Sequence, residues 1–181
     1  MDGKCSVQWS WQQLLDRVNG FSLDEQSAAL PFSSRLAREH GWTLVYAARV
    51  GDEYKRFMML AVAAGHPVTP SEEVDAAWHL HLLYTRNYWH VWCRDVLGKE
   101  IHHDPTQGGH QEGDKFHDWY EKTLQSYRQH FGEEPPSDIW PDVNKRFAAP
   151  ASQQWVARNT HLILPRPLYL MKKLCSILRP I

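Results

Sequence analysis

Thr69-Pro-Ser-Glu-Glu-Val-Asp75-Ala-Ala-Trp78-His79-Leu-His81-Leu-Leu-Tyr-Thr85-Arg-Asn-Tyr88 opens with the strongest helix-start signal in the chain. Thr69 supplies an N-cap hydroxyl, Pro70 suits the first helical position and Glu72 completes a capping box. Glu73 and Asp75 add negative charge where a helix N-terminus favours it. The periodicity beyond them predicts one helix running to Leu97 and stopping at Gly98.

On that helix His79 and His81 lie about 200° apart, so one metal ion held by both is disfavoured. At 100° per residue, Asp75, Arg86, His90 and Cys93 fall within about 40° of His79. This stripe sets a carboxylate one turn before an imidazole, a pairing that fixes a ring tautomer or supplies two metal ligands. The opposite stripe carries His81, Thr85, Tyr88 and Trp92, and there His81 reads as a hydrogen-bonded core residue beside Tyr or Thr.

Working outward, helical spacing dominates. Trp11 to Val18 reads as a first helix ended by Asn19-Gly20, and Ser22-Leu-Asp-Glu25 as a capping box opening a second segment. That segment is interrupted by Pro31 and resumes from Ser33 to His40. A helix over 43–64 carries Val50, Tyr54, Phe57, Met58, Ala61 and Ala64 on one core-facing stripe, with Gly51 marking weakness or close packing. Residues 98–113 form a His-rich loop, Asp114 to Phe131 is helical, and Asp138-Ile-Trp-Pro and the tail are irregular. The expected fold class is all-α, a single-domain bundle of about five to six helices over 1–142 with a basic, Pro-containing tail over 143–181.

Composition narrows the function classes. The chain has 181 residues, 20 Lys+Arg against 21 Asp+Glu, and a net charge of −1, which argues against a nucleic-acid-binding domain. Mean hydropathy is −0.56 and no stretch of about 18 apolar residues occurs, so no membrane span is expected. The first ten residues lack the apolar run of a secretory signal. Three cysteines (Cys5, Cys93, Cys175) without a CxxC pair fit a reduced, cytoplasmic chain. The charge is divided unequally, since residues after Asp142 carry +7 and residues 1–142 carry −8. The apolar and basic run over 162–181 is therefore a candidate for peripheral membrane contact, or an arm packed on the domain.

Seven of the 11 histidines lie between His79 and His117. With Gly98 turning the chain back, His102 or His103 could join Asp75 and His79 in a His/carboxylate site with open positions, suited to Zn²⁺ or Fe²⁺. The competing reading is a set of part-buried histidines tying the loop to the helix. No Gly-rich phosphate loop, G-x-S-x-G, H-E-x-x-H or EF-hand pattern is present. Gly108-Gly109 reads as backbone freedom, and Cys93 as a buried thiol.

The order Val74-Asp75-Ala-Ala-Trp78-His79-Leu-His81 through Thr85 and Tyr88, then Leu97-Gly98-Lys-Glu-Ile-His102-His103-Asp-Pro105, Asp118-Trp119-Tyr120 and Asp138-Ile139-Trp140-Pro141, resembles the glycine-rich-domain-containing-protein-like family. Upstream, Glu53-Tyr54, Arg56-Phe57 and Gly65-His66-Pro67-Val68-Thr69-Pro70 extend the resemblance, which covers about 40–142. It implies that Asp75, Trp78, His79, His81, Thr85, Tyr88, His102 and His103 occupy the family's signature positions, and it implies no reaction. The chain ends at Ile181 without the membrane and Gly-rich extension of bacterial members.

Three readings of function are open. The first is a polar site for a small-molecule ligand or a protein partner, built from Asp75, Trp78, His79, His81, Thr85 and Tyr88. The second is a small Zn- or Fe-dependent enzyme with ligands among Asp75, His79, His102 and His103, and His81 or Tyr88 as proton donor. The third is an interaction module docking through its basic tail.

Overall fold

Twenty consecutive residues, Leu44–Ala63, form the helix on which five other elements pack in a computed structural model of the chain. The structure describes residues 9–25, 27–104 and 110–148. The chain divides into two units, Met1–Ala149 and Pro150–Ile181. The second, with the apolar and basic run over 162–181, lies outside the described residues, as do Cys5, Cys175 and Gly108-Gly109.

The described residues form six α-helices and one π-helix, with no strand among them, so the fold is all-α. These are α1 (Trp11–Asn19), α2 (Phe32–His40), α3 (Leu44–Ala63), α4 (Glu72–Leu83), the π-helix (Asn87–Leu97), α5 (His110–Phe131) and α6 (Val143–Phe147). No helix among them is long and apolar enough to cross a membrane. The central element is α3, which packs against α1, α2, α4, α5 and the π-helix. Its stripe is as expected: Val50, Tyr54, Phe57 and Met58 are buried, and Ala61 and Ala64 pack half-buried beside them. At Gly51 an added Cβ would sit 3.3 Å from Leu23 Cδ1, a tight approach in keeping with close packing there.

Three local expectations are corrected. Ser22–Glu25 opens no helix; the Ser22 hydroxyl donates to the Asp24 carbonyl within a turn. The Asp24 carboxylate instead accepts the backbone N–H and hydroxyl of Ser33, both at 2.7 Å, and so caps α2 from across the turn. The full capping box belongs to Ser10 and Gln13, at the start of α1. For α4 the N-cap is Ser71, whose hydroxyl accepts from the Val74 N–H. Thr69 is drawn away because its N–H donates to Thr123 Oγ1 on α5 at 2.9 Å. Last, α5 begins at His110, so residues 110–113 of the expected loop are helical.

The largest correction concerns the helix that was to reach Leu97. Regular α-helix ends at Leu83, where Tyr84 leaves helical conformation (φ −86°, ψ 56°), and a π-helix then runs to Gly98, which closes it at φ 69°. A π-helix bonds i to i+5 and so carries more residues per turn than the α-helical wheel assumes. Tyr88, Trp92, Cys93 and Leu97 recur at that wider spacing, and all are fully buried. Cys93 therefore leaves the His79 stripe for the core, while Arg86 and His90 stay exposed.

Asp138-Ile-Trp forms a turn that buries Ile139 and Trp140. Trp140 Nε1–H donates to Glu53 Oε2 at 2.8 Å, and the Tyr127 hydroxyl donates to Glu53 Oε1 at 3.2 Å. Arg49 pairs with Asp138 at 2.7 Å. One acidic residue of α3 thus holds both α5 and the segment beyond it. Burial pushes the Glu53 carboxyl up, against the hydrogen bond from Trp140 and the charge of Arg56. Beyond that turn, Asp142 caps α6 by accepting from the Lys145 N–H.

Candidate functional site

Asp75 and His79 stand one turn apart on α4 with Trp78 between them, as the helical spacing predicts. What brings a second imidazole to them is the segment after Gly98. Lys99 N–H bonds the Cys93 carbonyl, and the Lys99 ammonium reaches the Ala61 carbonyl at the end of α3. The Ile101 side chain is buried, and its carbonyl accepts from the Tyr88 hydroxyl at 2.5 Å. The chain is then placed for His103 to face α4.

His103 Nε2 lies 2.8 Å from Asp75 Oδ1, and His79 Nε2 lies 3.8 Å from Asp75 Oδ2. The carboxylate presents one oxygen to each ring. The ring centroids of His79 and His103 are 4.6 Å apart, and the Trp78 indole lies 4.2 Å from the His103 ring. One ligand atom from each of Asp75, His79 and His103 falls within 4.8 Å of the others. The hydrogen bond to Asp75 holds the His103 pKa above its ordinary value, against burial. His103 is the most enclosed of the three, with 19% side-chain exposure against 31% for Asp75 and 60% for His79.

The remaining expected site residues separate from this cluster. His102 points the other way, 4.0 Å from Glu100 and 5.2 Å by ring centroids from Trp89. Adjacent residues of a non-helical segment face opposite sides, so only one of the two histidines can meet Asp75. Thr85 is exposed, whereas Tyr88 and Trp92 of its expected stripe are buried. Trp78 belongs to the site's wall, with its Nε1–H donating to the Tyr88 hydroxyl at 2.9 Å.

His81 and Tyr88, the expected proton donors, are core residues. His81 is 2% exposed and edged by Phe21, Phe32, Tyr54, Tyr88 and Trp92. Its Nε2 meets Asn87 Oδ1 at 2.8 Å and its Nδ1 meets the Tyr54 hydroxyl at 2.8 Å. With Asn87 Oδ1 able only to accept, the proton sits on Nε2 and Tyr54 donates to Nδ1. Neither nitrogen is left for a substrate. Tyr88 is likewise wholly buried, donating to Ile101 and accepting from Trp78. Sequence reasoning anticipated a tyrosine beside His81 but missed that it is Tyr54, and missed Asn87 altogether. Tyr54 is visible in the sequence only as part of the α3 stripe, and nothing local directs its hydroxyl toward α4.

A cavity of about 320 Å³ lies elsewhere, between the end of α1, the turn after it and α3, lined by Asn19, Ser22, Asp24, Ser33, Asp52 and Lys55 among others. None of the candidate ligands lines it. The Asp75 cluster is open to solvent chiefly through His79.

A family model described as UCP032817-like matches residues 30–126. The chain is also similar to Glycine-rich domain-containing protein 1 of Arabidopsis thaliana, at 24% identity over 167 residues, covering 73% of this chain and 20% of that protein. It thus spans about one fifth of the length of that curated relative. No solved structure matches it.

Proposed function

The chain belongs to the UCP032817-like family, whose matched segment, 30–126, holds Asp75, His79 and His103, and we propose that this helical domain binds a divalent transition-metal ion through those three side chains. The observation that carries the reading is the convergence of two imidazole nitrogens and a carboxylate oxygen within 4.8 Å. Two ligands bonded at about 2.1 Å in tetrahedral geometry are roughly 3.4 Å apart. Asp75 and His103 are now hydrogen-bonded at 2.8 Å, so an ion would displace the Nε2 proton to solvent and move the two atoms slightly apart to reach that separation. His79, with 60% side-chain exposure, is free to swing the remaining distance.

The donor set is two nitrogens and one oxygen with no thiolate, which suits Zn²⁺ or Fe²⁺ and leaves coordination positions open. A bound ion would supply Lewis acidity at those positions. Around it the chain's own residues do the positioning: Trp78 packs tilted against the His103 ring, with centroids 4.2 Å apart. The open positions give a polar ligand, whether a small molecule or a side chain of a partner protein, a place to bind. The enzymatic alternative is the less supported, because His81 and Tyr88 have their polar atoms committed inside the core. Docking through the basic tail concerns residues outside the described ones.

The test is a zinc titration of tag-free full-length chain, in competition with a chromophoric chelator. The expected result is saturation at about one equivalent per chain. Retention below about a tenth of an equivalent, with zinc and with ferrous iron added anaerobically, would overturn the proposal.

A further inference from the structure

Of the ligands, Asp75 and His79 are fixed by a helix, whereas His103 stands on a non-helical segment whose geometry needs another source. A metal centre requires its ligands held to a fraction of an ångström, and the groups that hold them act through hydrogen bonds behind the first layer. Here a single phenol reaches both halves. The Tyr88 hydroxyl donates to the Ile101 carbonyl at 2.5 Å, two residues before His103. The same oxygen accepts the Trp78 Nε1–H at 2.9 Å, from the residue next to His79 and three after Asp75. The Trp78 ring in turn lies 4.2 Å from the His103 ring, so indole, phenol and peptide close a loop of contacts around the ligand.

We infer that Tyr88 is the positioning residue of the Asp75–His79–His103 centre, its hydroxyl coupling α4 to the segment that presents His103. The inference rests on the metal reading above and gives the π-helix a role in it. At α-helical pitch Tyr88 and Cys93 face different sides; at π pitch both turn inward and are fully buried. Tyr88 then lies beneath Trp78 and Ile101, and the backbone of Lys99 is bonded back to Cys93. Removing the hydroxyl frees the Ile101 carbonyl and the Trp78 indole together, so His103 loses its register against Asp75 while every ligand atom remains in the protein.

Zinc affinity and the d–d absorption of the Co²⁺-loaded full chain are to be compared for wild type, Tyr88→Phe and Tyr54→Phe. Tyr54→Phe is the control, because it deletes another fully buried hydroxyl of the same core, the one bonded to His81. Tyr88→Phe is expected to weaken zinc by about 10- to 100-fold and to shift the Co²⁺ bands. Tyr54→Phe is expected to leave affinity and bands at wild-type values. Equal affinity for Tyr88→Phe and wild type, or equal losses in both Phe variants, overturns the positioning role and leaves the metal centre standing. A wild-type chain that takes up no metal overturns both. Should Tyr88→Phe not fold, Trp78→Phe deletes the indole bond to Tyr88 together with part of the ring's packing on Phe57, and affinity and Co²⁺ bands unchanged there overturn the coupling of α4 to Tyr88.

Discussion

Asp75→Ala is expected to lower zinc affinity by roughly 100-fold or more, beyond the range seen when only a supporting hydrogen bond is lost. Asp75 is the one carboxylate of the cluster and faces both rings, with Oδ2 toward His79 and Oδ1 hydrogen-bonded to His103 until an ion displaces that proton. Its removal deletes the only charged ligand of the cluster and, in the metal-free chain, the hydrogen-bond partner of His103. His79→Ala deletes a neutral, largely exposed ligand and leaves the Asp75 and His103 pair, so its loss is expected to be smaller. His102→Ala is expected to change nothing, since that ring pairs with Glu100 and Trp89 on the other side of the segment. Metal competition titrations on the three variants check the order. A His102 variant as damaged as Asp75→Ala would show that the ligands are wrongly assigned. The fold itself is expected to tolerate Asp75→Ala, because a first-turn acid stabilises a helix by only about 0.3–1 kcal/mol.

The stability of the domain is expected to fall by an amount on the order of 3 kcal/mol as the pH drops from near 6.5 to about 4, through His81 alone. Burial among aromatic rings pushes its pKa down to about 4, and the hydrogen bond to Asn87 only partly opposes this. Unfolded, the imidazole titrates near its ordinary value of 6.5. Between the two values the unfolded chain holds a proton that the folded chain refuses, so acid favours unfolding. The contribution is fully present above the unfolded pKa and is lost as pH falls toward the folded one. The groups meeting the ring are Tyr54 from α3, Asn87 and Tyr88 from the π-helix, and the rings of Phe21, Phe32 and Trp92. Urea titrations at several pH values check this, with His81→Gln as the comparison. Glutamine offers an amide donor and acceptor but does not titrate here. Wild type should lose the larger share of its stability across the window; parallel curves would rule out His81 as the group responsible.

Both results bear on how far the chain could be read before it was seen folded. The α3 stripe was legible because Val50, Tyr54, Phe57 and Met58 keep a strict helical period, and a period requires only local geometry. The Asp75–His79 pairing was legible for the same reason. The choice of His103 over His102 was not, because both stand beyond a glycine and only the bonds of Ile101 and Lys99 settle which one faces α4. The break at Tyr84 carries no proline or glycine to announce it, and the π-helix after it is stabilised by burial of Tyr88, Trp92, Cys93 and Leu97. Ser22-x-x-Glu25 matched a cap motif, yet the carboxylate that mattered was Asp24, reaching nine residues along the chain to Ser33.

By itself the sequence determined the all-α class, the stripe on which α3 packs and the presence of a carboxylate–imidazole pair one turn apart, since each of these is a matter of spacing along a helix. Tertiary structure decided the rest: it broke the long helix, committed the polar atoms of His81 and Tyr88 to partners inside the core, turned Cys93 off the His79 stripe, and selected His103 as the partner of Asp75. The physical reason is that these outcomes depend on which distant groups satisfy a buried hydroxyl, indole or carbonyl, and that pairing exists only once α3, α4 and the π-helix have met.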